Sequence, residues 1–303
     1  MTEKQKVLGK PCTICREWYG EILTAKNGVS VVRCRRCGLH YVDALVLDEQ
    51  ASKDHGVKAF EEGADYINEI YENKRGDWLR YYQGWLSRIE KLAPGRRLLD
   101  VGCGIGYLVY FAGQRGWDAY GLEISRDEIR YGNEKLGLAG RLMDGLLDPA
   151  RFEDKFDVVT LFSVIEHVDD PFQFLLSVRE VMTPDGILII KTPSQASLVT
   201  KIHWALHRLS GANFDLDLYD REHIYRFSPQ TLGSLLEKAN FRVISWEPDD
   251  RLWITSTRYL FNKNHRLIRQ AGISGLYLMG KITGMQNQFV TIAQRNPACE
   301  ENL

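Results

Sequence analysis

Four of the six cysteines form two pairs, Cys12-x-x-Cys15 and Cys34-x-x-Cys37, separated by residues 16–33, 18 positions. Two residues between cysteines let one tight turn aim both sulfurs at one metal, and two such turns complete a tetrahedron. The pattern therefore predicts a four-cysteine zinc site. With Cys12, Cys15, Cys34 and Cys37 all engaged, the metal is structural and leaves no position open to a substrate. Metal-free thiols in a small β unit and a redox pair are the competing readings; two matched pairs favour ligation. Gly38 follows the second pair, where such a turn needs a left-handed residue.

A second constellation is Asp100-Val-Gly102-Cys103-Gly104-Ile-Gly106-Tyr107. A glycine loop that leaves a strand and enters a helix binds a ligand through its backbone. Here the spacing is G-x-G-x-G, whereas a dinucleotide loop requires G-x-G-x-x-G, and no Gly-Lys-Ser/Thr follows for a phosphate loop. Asp100 would repel a pyrophosphate but suits an ammonium group. S-adenosylmethionine offers an ammonium, a sulfonium and a ribose, with no phosphate. Glu123 lies 19 residues beyond Gly104, where a carboxylate can take ribose hydroxyls, and Asp144 can meet the adenine amino group.

These residues need a frame, and the hydrophobic pattern supplies one. "RLLDV" (97–101), "AYGLE" (119–123), "GRLMD" (140–144), "FDVVTLF" (156–162), "GILIIKTP" (186–193), "FRVISWE" (241–247) and "QFVTIAQR" (288–295) read as strands. Between them run helices at about 105–116, from Ser125 to 136, from Pro171 to 182 and from Pro229 to 239. A further helix covers 77–92, with Asp77 as its expected N-cap. Such alternation predicts an α/β, doubly wound, Rossmann-like sheet of seven strands, with its ligand beyond the carboxyl ends at the switch point. The stretch 21–34 reads as a hairpin about Asn27-Gly28.

Three blocks follow: a zinc ribbon over 1–44, a helical linker over 45–77, and an α/β domain over 78–303. Insertions at about 194–227 and 249–287 are expected to shape the substrate side.

The chain resembles the class I S-adenosylmethionine-dependent methyltransferases. "LLDVGCGIGYL" resembles their first motif, "GLEIS" their ribose acid, "FDVVTLFSVIEHVDDP" their fourth-strand motif and "GILIIKTP" their fifth strand. "IEHVDDP" is most similar to the ubiquinone-biosynthesis O-methyltransferase branch. The resemblance implies a cofactor site at Asp100, Gly102, Cys103, Gly104, Gly106, Glu123, Ile124, Asp144, Gly145 and Ser163. Methyl transfer from a sulfonium is an in-line displacement, so the enzyme mainly aligns the nucleophile and excludes water. A hydroxyl acceptor must also lose a proton, a task suited to histidine. His167 is the first candidate base, with Glu166 beside it; His223 and Tyr225 are expected to enter from the first insertion. A cleft-wall role is the competing reading for His167. His203 and His207 stand i and i+4 on a helix but lack a third ligand, and read as solvated or packing groups.

Charge narrows the choice of partners. The 39 Lys+Arg and 40 Asp+Glu nearly cancel, so the whole chain is no strong polyanion binder. The ends are basic, residues 1–40 by eight Lys/Arg to three acids and residues 251–296 by seven to none. The expected reaction is methyl transfer to a small molecule or sugar, by O-methylation. The ribbon leaves RNA methylation as an alternative that the acidic middle opposes; a binding protein without chemistry is another. The basic segment 251–285 suits either a helical cap or a surface for a lipid-linked acceptor at a membrane. The first ten residues lack a signal peptide's apolar core, and no apolar run approaches a spanning length, so a cytoplasmic location is expected.

Overall fold

The computed structural model describes residues 6–7, 9–26, 29–44, 67, 71–210, 223–249, 275–276 and 278–296. Most of the linker, the basic segment up to residue 274, the Asn27-Gly28 turn and the His203 and His207 side chains lie outside the described residues.

The chain opens with β1 (Lys6–Val7), β2 (Tyr19–Lys26), β3 (Val29–Cys34) and β4 (His40–Ala44). β2 and β3 pair from Gly20↔Cys34 to Lys26↔Val29, so the expected hairpin is present. Helix α1 (Arg75–Leu92) leads to β5 (Arg97–Val101), α2 (Tyr107–Gln114), β6 (Asp118–Glu123), α3 (Arg126–Leu136), β7 (Leu142–Asp144) and β8 (Phe156–Phe162). Then come α4 (Pro171–Val181), β9 (Met182–Pro193), α5 (Leu198–Ser210), β10 (Tyr225–Arg226), α6 (Pro229–Lys238), β11 (Phe241–Asp249) and β12 (Gln288–Arg295).

The larger sheet has the order β11-β12-β9-β8-β5-β6-β7. β9, β8, β5, β6 and β7 are parallel; β12 slots between β9 and β11 and is antiparallel to both. Strand order reverses between β5 and β8, so the glycine loop after β5 stands at the switch point. The apolar run of β8 is buried on both faces, as expected for a central parallel strand.

Local chemistry sets the helix ends. Ser125 caps α3 by accepting the Glu128 N–H, and Asp170 caps α4 ahead of Pro171. Ser228 and Thr231 form a reciprocal capping box on α6. The expected Asp77 cap is a correction: α1 begins two residues earlier after Lys74, and Asp77 pairs with Arg80 inside the first turn. β9 also starts at Met182 rather than 186, because Met182 already pairs with Phe156.

Two apolar layers cover the sheet. Trp78, Tyr81, Trp85 and Ile89 of α1 pack with α2 residues on one face, against Val158, Ile187 and Val290. On the other, Leu175 and Val178 of α4 and Leu232 and Leu236 of α6 pack with Val159 and Leu188. Cys12, Ile14, Val32, Leu39 and Tyr41 belong to that second layer, so the N-terminal unit shares the core. Its sheet, β1-β2-β3-β4-β10, takes a fifth strand from the insertion at 194–227.

Candidate functional site

At the end of β5 the chain turns sharply. Gly102 and Cys103 donate N–H bonds to the Leu122 carbonyl, and Gly104 N–H donates to Glu123 Oε2 at 2.9 Å. Gly104 has φ +56, and a Cβ there would run into the Tyr71 hydroxyl. Both the backbone angle and the space require glycine. The Cys103 thiol turns inward and is buried, so this residue faces the loop with its backbone.

Asp100 is 2% exposed, and one carboxyl oxygen accepts the Thr160 hydroxyl at 2.6 Å. Burial, with a smaller contribution from the charge on Glu123, pushes its pKa up to about 7 despite the Thr160 bond. Glu123 accepts N–H bonds from Gly104, Ile124 and Ser125, which fix its carboxylate at the tip of β6. A third acid, Glu128 of α3, is buried beside it and accepts the Tyr71 hydroxyl at 2.7 Å. Burial first, and then Glu123, raise Glu128 to about 7. Three acids around one glycine loop suit a cationic ligand.

Sequence reading had missed Tyr71 and Glu128. Glu128 occupies the last position of a Ser-x-x-Glu capping box, a pattern that suggests a local role, but its carboxyl takes the Tyr71 hydroxyl instead. Tyr71 packs against Trp78 and Tyr107, so an aromatic cluster roofs the loop.

Of the other expected contacts, Asp144 ends β7 and pairs with Arg126 at 2.9 Å. Ile124 is 43% exposed and Leu146, next to Gly145, is 77% exposed, so apolar surface lies beside Glu123 and Asp144. Ser163 adopts φ +58 directly after β8, with its N–H on the Lys191 carbonyl.

The loop after β8 carries the second half of the site. Glu166 is fully buried; its Oε2 accepts the Thr192 hydroxyl at 2.9 Å, while Oε1 has no hydrogen-bond partner among the described residues. The His167 and His223 rings lie 4.6 Å apart, although 56 residues separate them (223 − 167). One ligand atom from each of Glu166, His167 and His223 falls within 4.8 Å of the other two. The sequence assigns all three to the acceptor side, but it gives no sign that their ligand atoms converge as one group able to hold a cation. The Tyr225 side chain stands apart from them. Its hydroxyl donates to the Asp169 carbonyl at 2.9 Å and lies 3.4 Å from Lys10 Nζ. Burial pushes its pKa up, so its hydroxyl stays protonated.

The four cysteines converge as their spacing predicts. Cys12 and Cys37 Sγ are 3.5 Å apart, Cys15 and Cys34 Sγ 3.4 Å, and all four sulfurs fall within 4.8 Å. A tetrahedral zinc with bonds of about 2.3 Å needs sulfurs roughly 3.8 Å apart, so the set fits. Both knuckles close alike: Arg16 N–H bonds to the Cys12 carbonyl and Gly38 N–H to the Cys34 carbonyl, each at 2.9 Å. Arg16 and Gly38 have φ +57 and +77. As thiols the four conflict: hydrogen bonding among them pulls Cys34 down and pushes Cys12 up to about 12. A dication would relieve that conflict.

The family described as Methyltransferase domain matches residues 72–246. The ubiquinone biosynthesis O-methyltransferase of Cereibacter sphaeroides (strain ATCC 17025) is 28% identical over 185 residues, 55% of this chain and 70% of that protein. The mitochondrial enzyme of the same description from Schizosaccharomyces pombe is 33% identical over 110 residues, 34% of this chain and 40% of that one. Among solved structures, a SAM-dependent methyltransferase from Archaeoglobus fulgidus is 18% identical, covers 76% of this chain and 98% of its own, and gives a TM-score of 0.49.

Proposed function

The chain belongs to the methyltransferase-domain family and is an S-adenosylmethionine-dependent methyltransferase, and we propose that it methylates a hydroxyl of a small molecule or sugar. The observation carrying the donor side is the glycine loop set between buried Asp100 and Glu123 at the switch point. When bound, S-adenosylmethionine supplies an electrophilic methyl group on a sulfonium. Asp100 takes its ammonium end, and Glu123 its ribose hydroxyls, with the carboxylate already oriented by three backbone N–H groups. Backbone at Gly102, Cys103, Gly104 and Gly106, with Ser163, would hold the methionine part. Ile124, Gly145 and Leu146 offer apolar surface to the adenine. Asp144 meets its amino group only by sharing its carboxylate with Arg126.

On the acceptor side, His167 removes the hydroxyl proton as the methyl transfers. Glu166, buried with one oxygen unpartnered among the described residues, and His223, its ring tilted by 36° against that of His167, flank the imidazole. A positioned general base contributes about 10²–10⁴-fold. The 4.8 Å convergence of the three ligand atoms favours a second reading, in which they hold a divalent cation that acidifies the acceptor hydroxyl. Restoration of turnover by magnesium after mild chelation would select that reading.

The proposed organisation is a zinc ribbon over 1–44, a linker over 45–77 and a catalytic domain over 78–303. The zinc is held structurally by Cys12, Cys15, Cys34 and Cys37. The description of the relatives as ubiquinone biosynthesis O-methyltransferases supports a small-molecule acceptor methylated on oxygen.

The test is calorimetric titration with S-adenosylmethionine, followed by S-adenosylhomocysteine release with catechols, phenols and nucleotide sugars. Failure to bind at millimolar donor refutes the donor site. Binding without turnover on any hydroxyl, but with turnover on amines, refutes O-methylation.

A further inference from the structure

His223 owes its place to a strand that the N-terminal unit builds. The segment 223–227 forms only a two-residue strand, too short to hold a position by itself. One edge is held by β4: Tyr225 pairs with Tyr41, Arg226 with His40, and Val42 N–H bonds to the Ile224 carbonyl at 2.8 Å. The other edge meets the β8 loop, where Tyr225 N–H bonds to the Glu166 carbonyl at 3.1 Å. The strand is thus a splint between the cysteine unit and the loop that carries Glu166 and His167.

Gln195 reinforces the splint from the end of β9. Its own N–H bonds to the Phe227 carbonyl at 2.7 Å. Its side chain donates to the Gly38 carbonyl at 2.9 Å and accepts from His40 N–H at 3.3 Å. Gly38 closes the second cysteine knuckle, so one residue ties the segment following His223, through its backbone, to the knuckle, through its side chain. Lys238 of α6 reaches the Ile14 carbonyl, inside the first knuckle.

We propose that the four-cysteine ribbon is a positioning element for the acceptor side of the site. Its metal-closed knuckles fix β4, β4 fixes residues 223–227, and that segment sets His223 against His167. This role rests on the proposed function for its catalytic consequence, but its geometric content does not. The donor half is built from β5, β6, α3 and Tyr71, none of which belongs to the ribbon sheet. Loss of the metal should therefore separate two quantities that a general loss of structure would move together.

The experiment compares the intact full chain with zinc-stripped protein and with Gln195→Ala, which leaves all four cysteines in place. Affinity for S-adenosylhomocysteine, read by calorimetry, reports the donor half. Nuclear Overhauser contact between the His167 and His223 rings, in histidine-labelled protein, reports the splint. We expect donor-half affinity to stay within about twofold, as for independent sites. The ring contact should vanish in the stripped protein and weaken in Gln195→Ala. With a turned-over acceptor in hand, kcat should fall by roughly 10²-fold per ångström of misplacement. A ring contact that persists in both altered proteins overturns the proposal. So does a loss of S-adenosylhomocysteine binding in step with the contact. Neither reading needs methyl transfer, so an intact chain that methylates no hydroxyl refutes the proposed function and leaves the ribbon's role to be judged on the contact alone.

Discussion

Donor affinity should depend steeply on pH, and Asp100 sets the slope. Its carboxyl is fully buried near Glu123, with pKa about 7 against an ordinary 3.8. An ammonium ligand binds the ionised form, so the apparent Kd scales as 1 + 10^(pKa − pH). That factor is roughly 33 at pH 5.5 and 1.3 at pH 7.5, a change of about 25-fold or about 1.9 kcal/mol. The window stops at about pH 7.5 because an α-amino group itself loses its proton near 8. At pH 7 each binding event should release about half a proton from Asp100. Calorimetry in buffers of different ionisation enthalpy measures both quantities. Asp100→Asn should reduce the slope to the part that Glu128, also raised to about 7, contributes, while weakening binding at every pH. Without ligand the sign reverses for stability. The raised pKa means the fold binds more protons than the unfolded chain between about 4 and 7, so stability falls as pH rises through that window. Donor affinity flat from pH 5.5 to 7.5, with no net proton exchange, would refute the reasoning.

Other perturbations test separate links. Thr160→Val removes the hydroxyl that lowers Asp100's pKa, and a lost hydrogen bond of about 1–1.5 kcal/mol should move the onset of binding up by about one pH unit. Gly104→Ala places a Cβ at positive φ against Tyr71 and should weaken the donor by about 10-fold or more, with strain of about 1–3 kcal/mol. His167→Ala should cut kcat by about 10²–10⁴-fold with donor affinity unchanged, read by S-adenosylhomocysteine release. Cys34→Ser should reduce bound zinc from one per chain to none by atomic emission and lower the melting temperature, since structural zinc contributes folding energy directly.

Much of this architecture is written locally. The runs 156–162 and 288–295 are strands with the bounds their apolar patterns gave, and Ser125 caps the helix it precedes. The cysteine spacing predicted a cluster that the two knuckles form. What stayed hidden is long-range or chemically disguised. Asp77 looks like a cap, but α1 starts at Arg75, because the aromatic stripe from Trp78 to Trp85 decides where the helix packs. The start of β9, half-buried Thr183 followed by exposed Pro184 and Asp185, carries no strand signal. Tyr71 belongs to the linker by sequence, yet its hydroxyl meets Glu128 over Gly104. Tyr225 seemed a lid residue facing the chemistry, but its hydroxyl serves Asp169, and only its backbone supports the site. No local pattern tells that residues 225–226 will pair with 40–41.

That pairing also orders events during synthesis. Cys12 and Cys37 stand only 25 positions apart, so the knuckles can close soon after they emerge. The fifth strand of their sheet is translated 182 residues after β4 ends (226 − 44), a delay of roughly 10–40 s at typical elongation rates. Through that interval β4 presents a bare edge, and the strand it awaits carries the approach to His223. The ribbon is thus an early template, and the acceptor half of the site is among the last parts of the molecule to be completed.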